Sequence, residues 1–304
     1  MKVLITGGTG FIGSRLVQSL DSGSIKAIGR KNVPGVREFY RKNIGRNEDY
    51  RSCFQDVDIV VHVAGLAHSR VNANTSDARA FREVNYEGTI HLAQQAAESG
   101  VKRFIFLSSI SVNGSKSDSP FTETDPPNPL GVAAEIKYET EQALWGVQRE
   151  SGMELVIIRS PMVYGPKAPG NFRTLVKLLK KGIPMPLGLV NNQRSLVALD
   201  NLIDLIITCI NHPAAANQLF LAGDGQDLST PEFLHAIGAA MGISARVIPV
   251  PFWLLQSGVK LFGKQQMAAQ VLGTLQVDIS KARVLLKWEP PISMEEGLKR
   301  CFGD

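Results

Sequence analysis

An apolar tripeptide followed at once by three evenly spaced glycines limits this chain more than any other feature. Val3, Leu4 and Ile5 form a run too short for a helix and suited to a buried parallel strand. Gly7, Gly10 and Gly13 follow in the spacing G-x-x-G-x-x-G, with Thr9, Phe11 and Ile12 between them. Ser14 to Leu20 reads as a helix with Leu16, Val17 and Leu20 on one face. Strand, glycine turn and helix amino end are the parts of a dinucleotide site. Glycine lets the backbone approach a diphosphate closely, and the helix amino end stabilises its negative charge. A glycine pattern alone is weak. Its place between a strand and a helix gives it weight over the alternative, a mere tight turn.

Strand and helix signals then alternate. Ile25 to Gly29 reads as a second strand, ending at Arg30 and Lys31. An acidic residue there would bond the ribose 2′-hydroxyl of NAD; two cations instead favour a 2′-phosphate, hence NADP(H) over NAD(H). Two solvated surface charges are the alternative. Residues 34–54 show little periodicity. Asp58 to His62 is a buried strand, and the small residues Ala64 and Gly65 beyond it let a cofactor lie against the backbone. Residues 77–99 read as one long helix, in which Asn85 is expected to tie the helix to a neighbouring strand. Arg103 to Leu107 is a strand running into Ser108 and Ser109. Residues just past strand ends face the ligand in open parallel sheets, which makes Ser109 a site candidate. Pro129 is expected to open a helix to about Arg149, followed by a strand at Leu155 to Ile158.

The pattern predicts an α/β fold: a Rossmann-like doubly wound parallel sheet with a smaller C-terminal substrate lobe. The division falls at 1–165 for the dinucleotide-binding part. Residues 166–304 make mainly the substrate lobe, with some segments returning to the sheet. In that second part Asn171 to Lys181, Asp200 to Ile210 and Thr230 to Met241 read as helices, the last with Thr230 as cap. Asn192 to Val197 and Gln218 to Ala222 read as extended, and Pro251 to Gly263 as an apolar helix.

Composition narrows the partners. The net charge of +5 is mild and no basic run is interleaved with aromatics, so nucleic-acid binding is not expected. Cys53, Cys209 and Cys301 are far apart, without metal-ligand spacing, which suits a reducing cytoplasm and predicts no metal. Met1-Lys2 runs straight into the first strand and no apolar run reaches membrane-span length, so a soluble cytoplasmic protein is expected.

Taken together, these residues resemble the extended short-chain dehydrogenase/reductase superfamily, and within it the nucleotide-sugar epimerase, dehydratase and reductase group. The markers span nearly the whole chain. They are the Gly7–Gly13 loop, the stretch from Asp58 to Ala64, Val84 to Thr89, Phe106 to Ser109, Arg159 to Gly165, and Val277 to Arg283. The segments 103–145 and 192–201 look most similar to bacterial surface-polysaccharide enzymes (O-antigen and lipopolysaccharide synthesis) acting at C4 of UDP-linked N-acetylhexosamines. The resemblance implies a UDP-sugar substrate and a nicotinamide cofactor. The reaction would be reduction of a UDP-4-keto-6-deoxy sugar or, alternatively, 4-epimerisation. It implies Ser109 and Lys137 as catalytic residues, Lys137 also holding the nicotinamide ribose. Pro161 would lie against the nicotinamide, and Ser160, Asn171 and Arg194 on the substrate. Arg194 would grip the diphosphate, with a surface salt bridge as the alternative. A homodimer through two long helices is common in the group. The apolar helix at Pro251 to Gly263 is expected to pack on the second lobe, or else to touch a membrane surface with Lys260 and Lys264 at the interface.

In such enzymes a Tyr stands four residues before the Lys. Four residues is about 400° of helix rotation, so the two side chains share a face, and the ammonium lowers the Tyr pKa. Here that position is Ala133, and Ile136 stands where a Ser often precedes the Lys. Three readings stay open: a deliberate Tyr-to-alanine change, a natural member using another acid, or a helix register offset from the one assumed. Tyr138 points about 100° away from Lys137, whereas Tyr164 could approach the site. A non-catalytic dinucleotide-binding sensor is a further alternative.

Overall fold

Every strand of the main sheet runs the same way, so all their carboxyl ends open on one edge. The computed structural model describes residues 1–66, 75–251, 254 and 272–303. β1 (Val3–Thr6) leads through α1 (Phe11–Ser19) to β2 (Ile25–Gly29), β3 (Glu38–Arg41) and β4 (Ile59–His62). α2 (Thr75–Arg82) and α3 (Thr89–Glu98) precede β5 (Arg103–Ser109). α4 (Val132–Ser151) leads to β6 (Glu154–Ser160), β7 (Met162–Tyr164) and α5 (Gly170–Lys180). Then come β8 (Arg194–Ala198), α6 (Leu199–Asn211), β9 (Gln218–Leu221), β10 (Asp227–Leu228) and α7 (Thr230–Ala240). The C-terminal helices are α8 (Ser280–Leu286) and α9 (Met294–Phe302).

The main sheet has the order β3-β2-β1-β4-β5-β6-β9, parallel throughout. Its inner strands read as unbroken apolar runs because helices cover both faces. In β1, Val3 and Ile5 face a core shared with α1, α6 and α8, and Leu4 faces the opposite core shared with α3 and α4. A smaller sheet, β10-β8-β7, belongs to the second lobe, whose own core gathers Tyr164, Phe172, Phe233 and Leu298. β9 rejoins the main sheet beside β6, so the chain after residue 166 contributes to both.

Several boundaries differ from expectation. The weakly periodic stretch 34–54 contains β3, an edge strand with Phe39 and Tyr40 half-buried between exposed Glu38 and Arg41. The long helix expected over 77–99 is interrupted by a π-helical turn at Glu83–Gly88. Pro129 does not open α4: Gly131, with φ +88°, turns the chain in and the helix begins at Val132. Ser229, not Thr230, caps α7, its Oγ accepting from the Glu232 N–H while Glu232 reaches back to the Ser229 N–H. The apolar stretch Pro251 to Gly263, with Lys260, lies mostly outside the described residues, as does Lys264. No helix among the described residues is long and apolar enough to cross a membrane, and no cluster of metal-ligating side chains occurs among them.

Candidate active site

The turn after β1 is a cradle that side chains would fill. Gly7 has φ +78°, and a Cβ there would stand 2.7 Å from the Ala64 backbone nitrogen. A Cβ on Gly13 would lie 2.2 Å from the Gly7 carbonyl oxygen, so α1 starts flush against the loop. Gly10 caps α1 without a side chain, and its N–H donates to the Gly7 carbonyl at 2.8 Å. Thr9 and Gly10 are exposed, and Phe11 and Ile12 half-buried, at the amino end of that helix. The N–H groups left without intrahelical partners at a helix start and the aligned peptide dipoles suit a diphosphate here. A dinucleotide therefore fits the residues present.

β4 ends beside this cradle. Asn85, delivered by the π turn, accepts from the Leu66 N–H at 2.8 Å and donates to the Leu66 carbonyl at 3.1 Å. It thereby ties its helix to the chain just past β4, beside Ala64 and Gly65. A Cβ on Gly65 would meet Asn85 Oδ1 at 2.9 Å. His62, not singled out from the sequence, is buried with Nδ1 2.8 Å from Thr6 Oγ1 and Nε2 3.0 Å from Thr89 Oγ1. Burial holds its pKa down to about 3, with the positive charge of Lys137 adding to the effect, so the ring is neutral at pH 7.

The ends of β5 and β6 and the first turns of α4 meet on the same edge. Ser109 is in register with Ser160 across β5 and β6, and buried Pro161 follows. Ser109 Oγ accepts from the Ser111 N–H at 3.2 Å and the Ser111 hydroxyl at 2.9 Å, and no acceptor for its own O–H stands among the described residues, so that proton can be offered to a ligand. α4 carries half-buried Ala133 in its first turn and Lys137 one turn later. Lys137 Nζ donates to the Leu107 carbonyl at 3.1 Å and lies 4.3 Å from the Phe106 ring centroid. Burial of the ammonium lowers its pKa to about 8, partly offset by the negative charge of Glu141, so it remains charged at pH 7.

Behind this group lies a buried polar network that local sequence signals do not reveal. Glu141, one turn beyond Lys137, pairs with Arg159 of β6, both almost fully buried. Arg159 Nε donates to Glu141 Oε1 at 3.1 Å, and its Nη1 to Asn113 Oδ1 at 2.8 Å. Ser108 donates to Glu141 Oε1. The strand bearing Ser109, the helix bearing Lys137 and the strand bearing Ser160 are joined through these four side chains.

The second lobe places the expected substrate residues unevenly. Arg194 opens β8, is half-buried, and donates through Nη1 to the Gly273 carbonyl at 2.8 Å. It forms no ion pair among the described residues. Asn171 is exposed in the first turn of α5. Tyr164 does not approach the site: it is fully buried and donates to Asp224 Oδ2 at 2.7 Å, packed against Phe172 and Phe233. Arg30 and Lys31 are exposed at the carboxyl end of β2, without an ion-pair partner among the described residues.

Comparison with known proteins agrees with this fold. A model of the NAD dependent epimerase/dehydratase family matches residues 3–223. The UDP-glucose 4-epimerase of Vibrio cholerae is 42% identical over 307 residues, covering 98% of this chain and 94% of that protein. The N-acetyl-alpha-D-glucosaminyl-diphospho-ditrans,octacis-undecaprenol 4-epimerase of Escherichia coli O157:H7 is 24% identical, covering 99% of this chain and 94% of that protein. The structure of a Thermotoga maritima UDP-glucose 4-epimerase with UDP-glucose matches with a TM-score of 0.80 at 24% identity, over 99% of this chain and 97% of that one. A Bacillus cereus UDP-glucuronic acid 4-epimerase in complex with NAD matches equally well at 23% identity, again over 99% and 97%. At such identities the structures speak for the fold, and the longer sequence matches for the kinship: this chain belongs to the NAD dependent epimerase/dehydratase family.

Proposed function

We propose that this chain binds a nicotinamide dinucleotide and a UDP-sugar and inverts the sugar at C4. The observation that carries the reading is that the glycine cradle, Ser109 and Lys137 share one sheet edge, in a chain 42% identical to a UDP-glucose 4-epimerase. The nicotinamide supplies a hydride acceptor and donor when bound. The chain's own residues do the rest. The backbone of Gly7, Gly10 and Gly13 and the α1 amino end hold the diphosphate. Lys137 holds the ribose hydroxyls and places a positive charge beside the ring. Ser109 donates a hydrogen bond from its hydroxyl to the C4 oxygen and so orients it, while the proton that this oxygen gives up as the hydride leaves, and takes back as the hydride returns, is left to the general acid–base position. Arg194 binds the UDP diphosphate through the donors it does not spend on Gly273. Cytoplasmic residence and action on an N-acetylhexosamine belong to the same reading.

Ala133 has no proton to exchange, so a dedicated general acid is missing one turn from Lys137. Loss of such a group lowers rates by about 10²–10⁴-fold. The test is conversion of UDP-glucose to UDP-galactose, and of the N-acetyl pair, with NAD and no added reductant, before and after Ala133→Tyr. A rate rise of at least about a hundred-fold in the variant is expected; equal rates overturn the role given to position 133.

Arg30 and Lys31 favour a second reading. Two exposed cations at the end of β2 suit a 2′-phosphate, and with it NADPH-dependent reduction of a 4-keto-6-deoxy sugar. Stoichiometric consumption of NADPH with product would establish that reading, and turnover on catalytic NAD would exclude it. Retained dinucleotide binding with no affinity for UDP or UDP-sugars would instead mark a sensor.

A further inference from the structure

Charge is distributed unevenly along this chain. Residues 166–199 and 233–277 contain nine Lys and Arg and not one Asp or Glu, more than the entire net charge of +5. The rest of the chain is therefore net acidic. The fold brings described parts of the two stretches together in the second lobe. Met185 N–H donates to the Arg246 carbonyl and Ile248 N–H to the Met185 carbonyl, both at 2.8 Å, and Gly188 N–H donates to the Ile248 carbonyl at 2.9 Å.

The described surface here is both basic and greasy. Arg173, Lys177, Lys180 and Lys181 fall at i, i+4, i+7 and i+8 along α5 and its end, on the side opposite buried Phe172 and Leu179. All four are exposed, as is Arg246, and none of the five forms an ion pair among the described residues. Among these cations stand exposed aliphatic side chains: Ile183 at 39%, Leu189 at 55% and Ile248 at 44%. Ile183 N–H bonds to the Leu178 carbonyl, which sets it beside Lys180 and Lys181.

We infer that this face of the second lobe docks the enzyme on an anionic lipid bilayer, its lysines against the headgroups and its aliphatic side chains in the interfacial layer. Charge complementarity selects the occupant. A cationic face to which neither stretch contributes a carboxylate suits an anionic leaflet and is not self-complementary for a second copy. Nucleic acid is the weaker match, because single-strand binders carry exposed aromatic platforms, and the large apolar residues exposed among the described residues are all aliphatic or Met. The proposal does not depend on the C4 chemistry, and none of the exposed residues it rests on belongs to the active site.

Co-sedimentation of the full chain with vesicles tests it. Binding is expected to vesicles of equal parts phosphatidylcholine and phosphatidylglycerol at low salt, and not to phosphatidylcholine alone. Each basic side chain at the surface contributes about five-fold, so Lys177→Glu/Lys180→Glu/Lys181→Glu is expected to lower partitioning by about a hundred-fold or more. Leu189→Ser and Ile248→Ser are each expected to lower it by about ten-fold in raised salt, where the aliphatic contribution dominates. All are surface changes, and unchanged melting temperatures confirm folding. Failure to sediment with the anionic vesicles overturns the proposal, as does sedimentation that the triple variant retains. A lipid-free mass that differs between the parent chain and the triple variant in equilibrium ultracentrifugation would also overturn it, by marking a contact between copies.

Discussion

Gly13 has no room for a methyl group, since a Cβ there would sit 2.2 Å from the Gly7 carbonyl oxygen. The obstacle is backbone, not a flexible side-chain tip, so the loop itself must move. Gly13→Ala is therefore expected to weaken NADH binding by at least about ten-fold and to cost about 1–3 kcal/mol of stability. Fluorescence titration and urea unfolding check the two effects, and full affinity in the variant would refute the cradle as described. His62 shows a different kind of constraint. Its ring is neutral in the fold, with a pKa held to about 3, while in the unfolded chain it takes up a proton near pH 6.5. The unfolded state thus binds more protons between those limits, and stability falls as pH falls through that window. Between pH 7 and pH 5 this one group is expected to remove about 2 kcal/mol. Urea unfolding at the two pH values, compared with His62→Gln, measures it; the variant should lose less on acidification than the parent chain.

Elements are held in place here by partners that sequence spacing does not announce. The continuous apolar runs of β1, β4 and β6 were readable because both faces of those strands are covered. β3 was not, because an edge strand needs only half its residues buried and Glu38 and Arg41 break the pattern. The helix over 77–99 was readable as a helix but not as an interrupted one. One extra residue in a π turn hardly disturbs the apolar period, although it decides where Asn85 points. For the site, Ser109 and Lys137 came from strand-end logic and resemblance, but Glu141–Arg159 gave no local signal. Its members lie 18 residues apart on different elements, and each looks like an ordinary surface charge in isolation. Their pairing locks α4 to β5 and β6 through Ser108 and Asn113. Glu141→Gln is expected to cost about 3–5 kcal/mol by leaving a buried guanidinium uncompensated, and Glu141→Leu/Arg159→Met to cost less than that single change. Urea midpoints of the single and double variants decide between the pair as a specificity device and the pair as a net source of stability.

Across the molecule, the two lobes are joined by more than the chain that passes between them. Phe11, at the start of α1, packs against both the main core and the second-lobe core. A Cβ on Gly165 would meet Leu199 Cβ at 2.7 Å, so the crossing itself is tight. Asp224, just past β9, accepts from the Tyr164 hydroxyl, the Asn201 amide and the Ala198 N–H, at 2.7, 2.7 and 2.8 Å. One carboxylate thereby binds β7, the end of β8, α6 and the exit of β9, which belong to both sheets. Removing it orphans three buried donors, each worth about 1–3 kcal/mol when left unpaired. Asp224→Ala is therefore expected to lower the stability of the whole molecule by at least about 3 kcal/mol, whereas Tyr164→Phe, which leaves the other two donors satisfied, should cost about 1 kcal/mol. Because the same carboxylate serves both sheets, the loss should appear as one transition moved to lower denaturant. Far-UV and near-UV circular dichroism should stay coincident through it. Two separated transitions, in the parent chain or in Asp224→Ala, would mean that the lobes are joined only by their linker and that the network around Asp224 belongs to one of them alone.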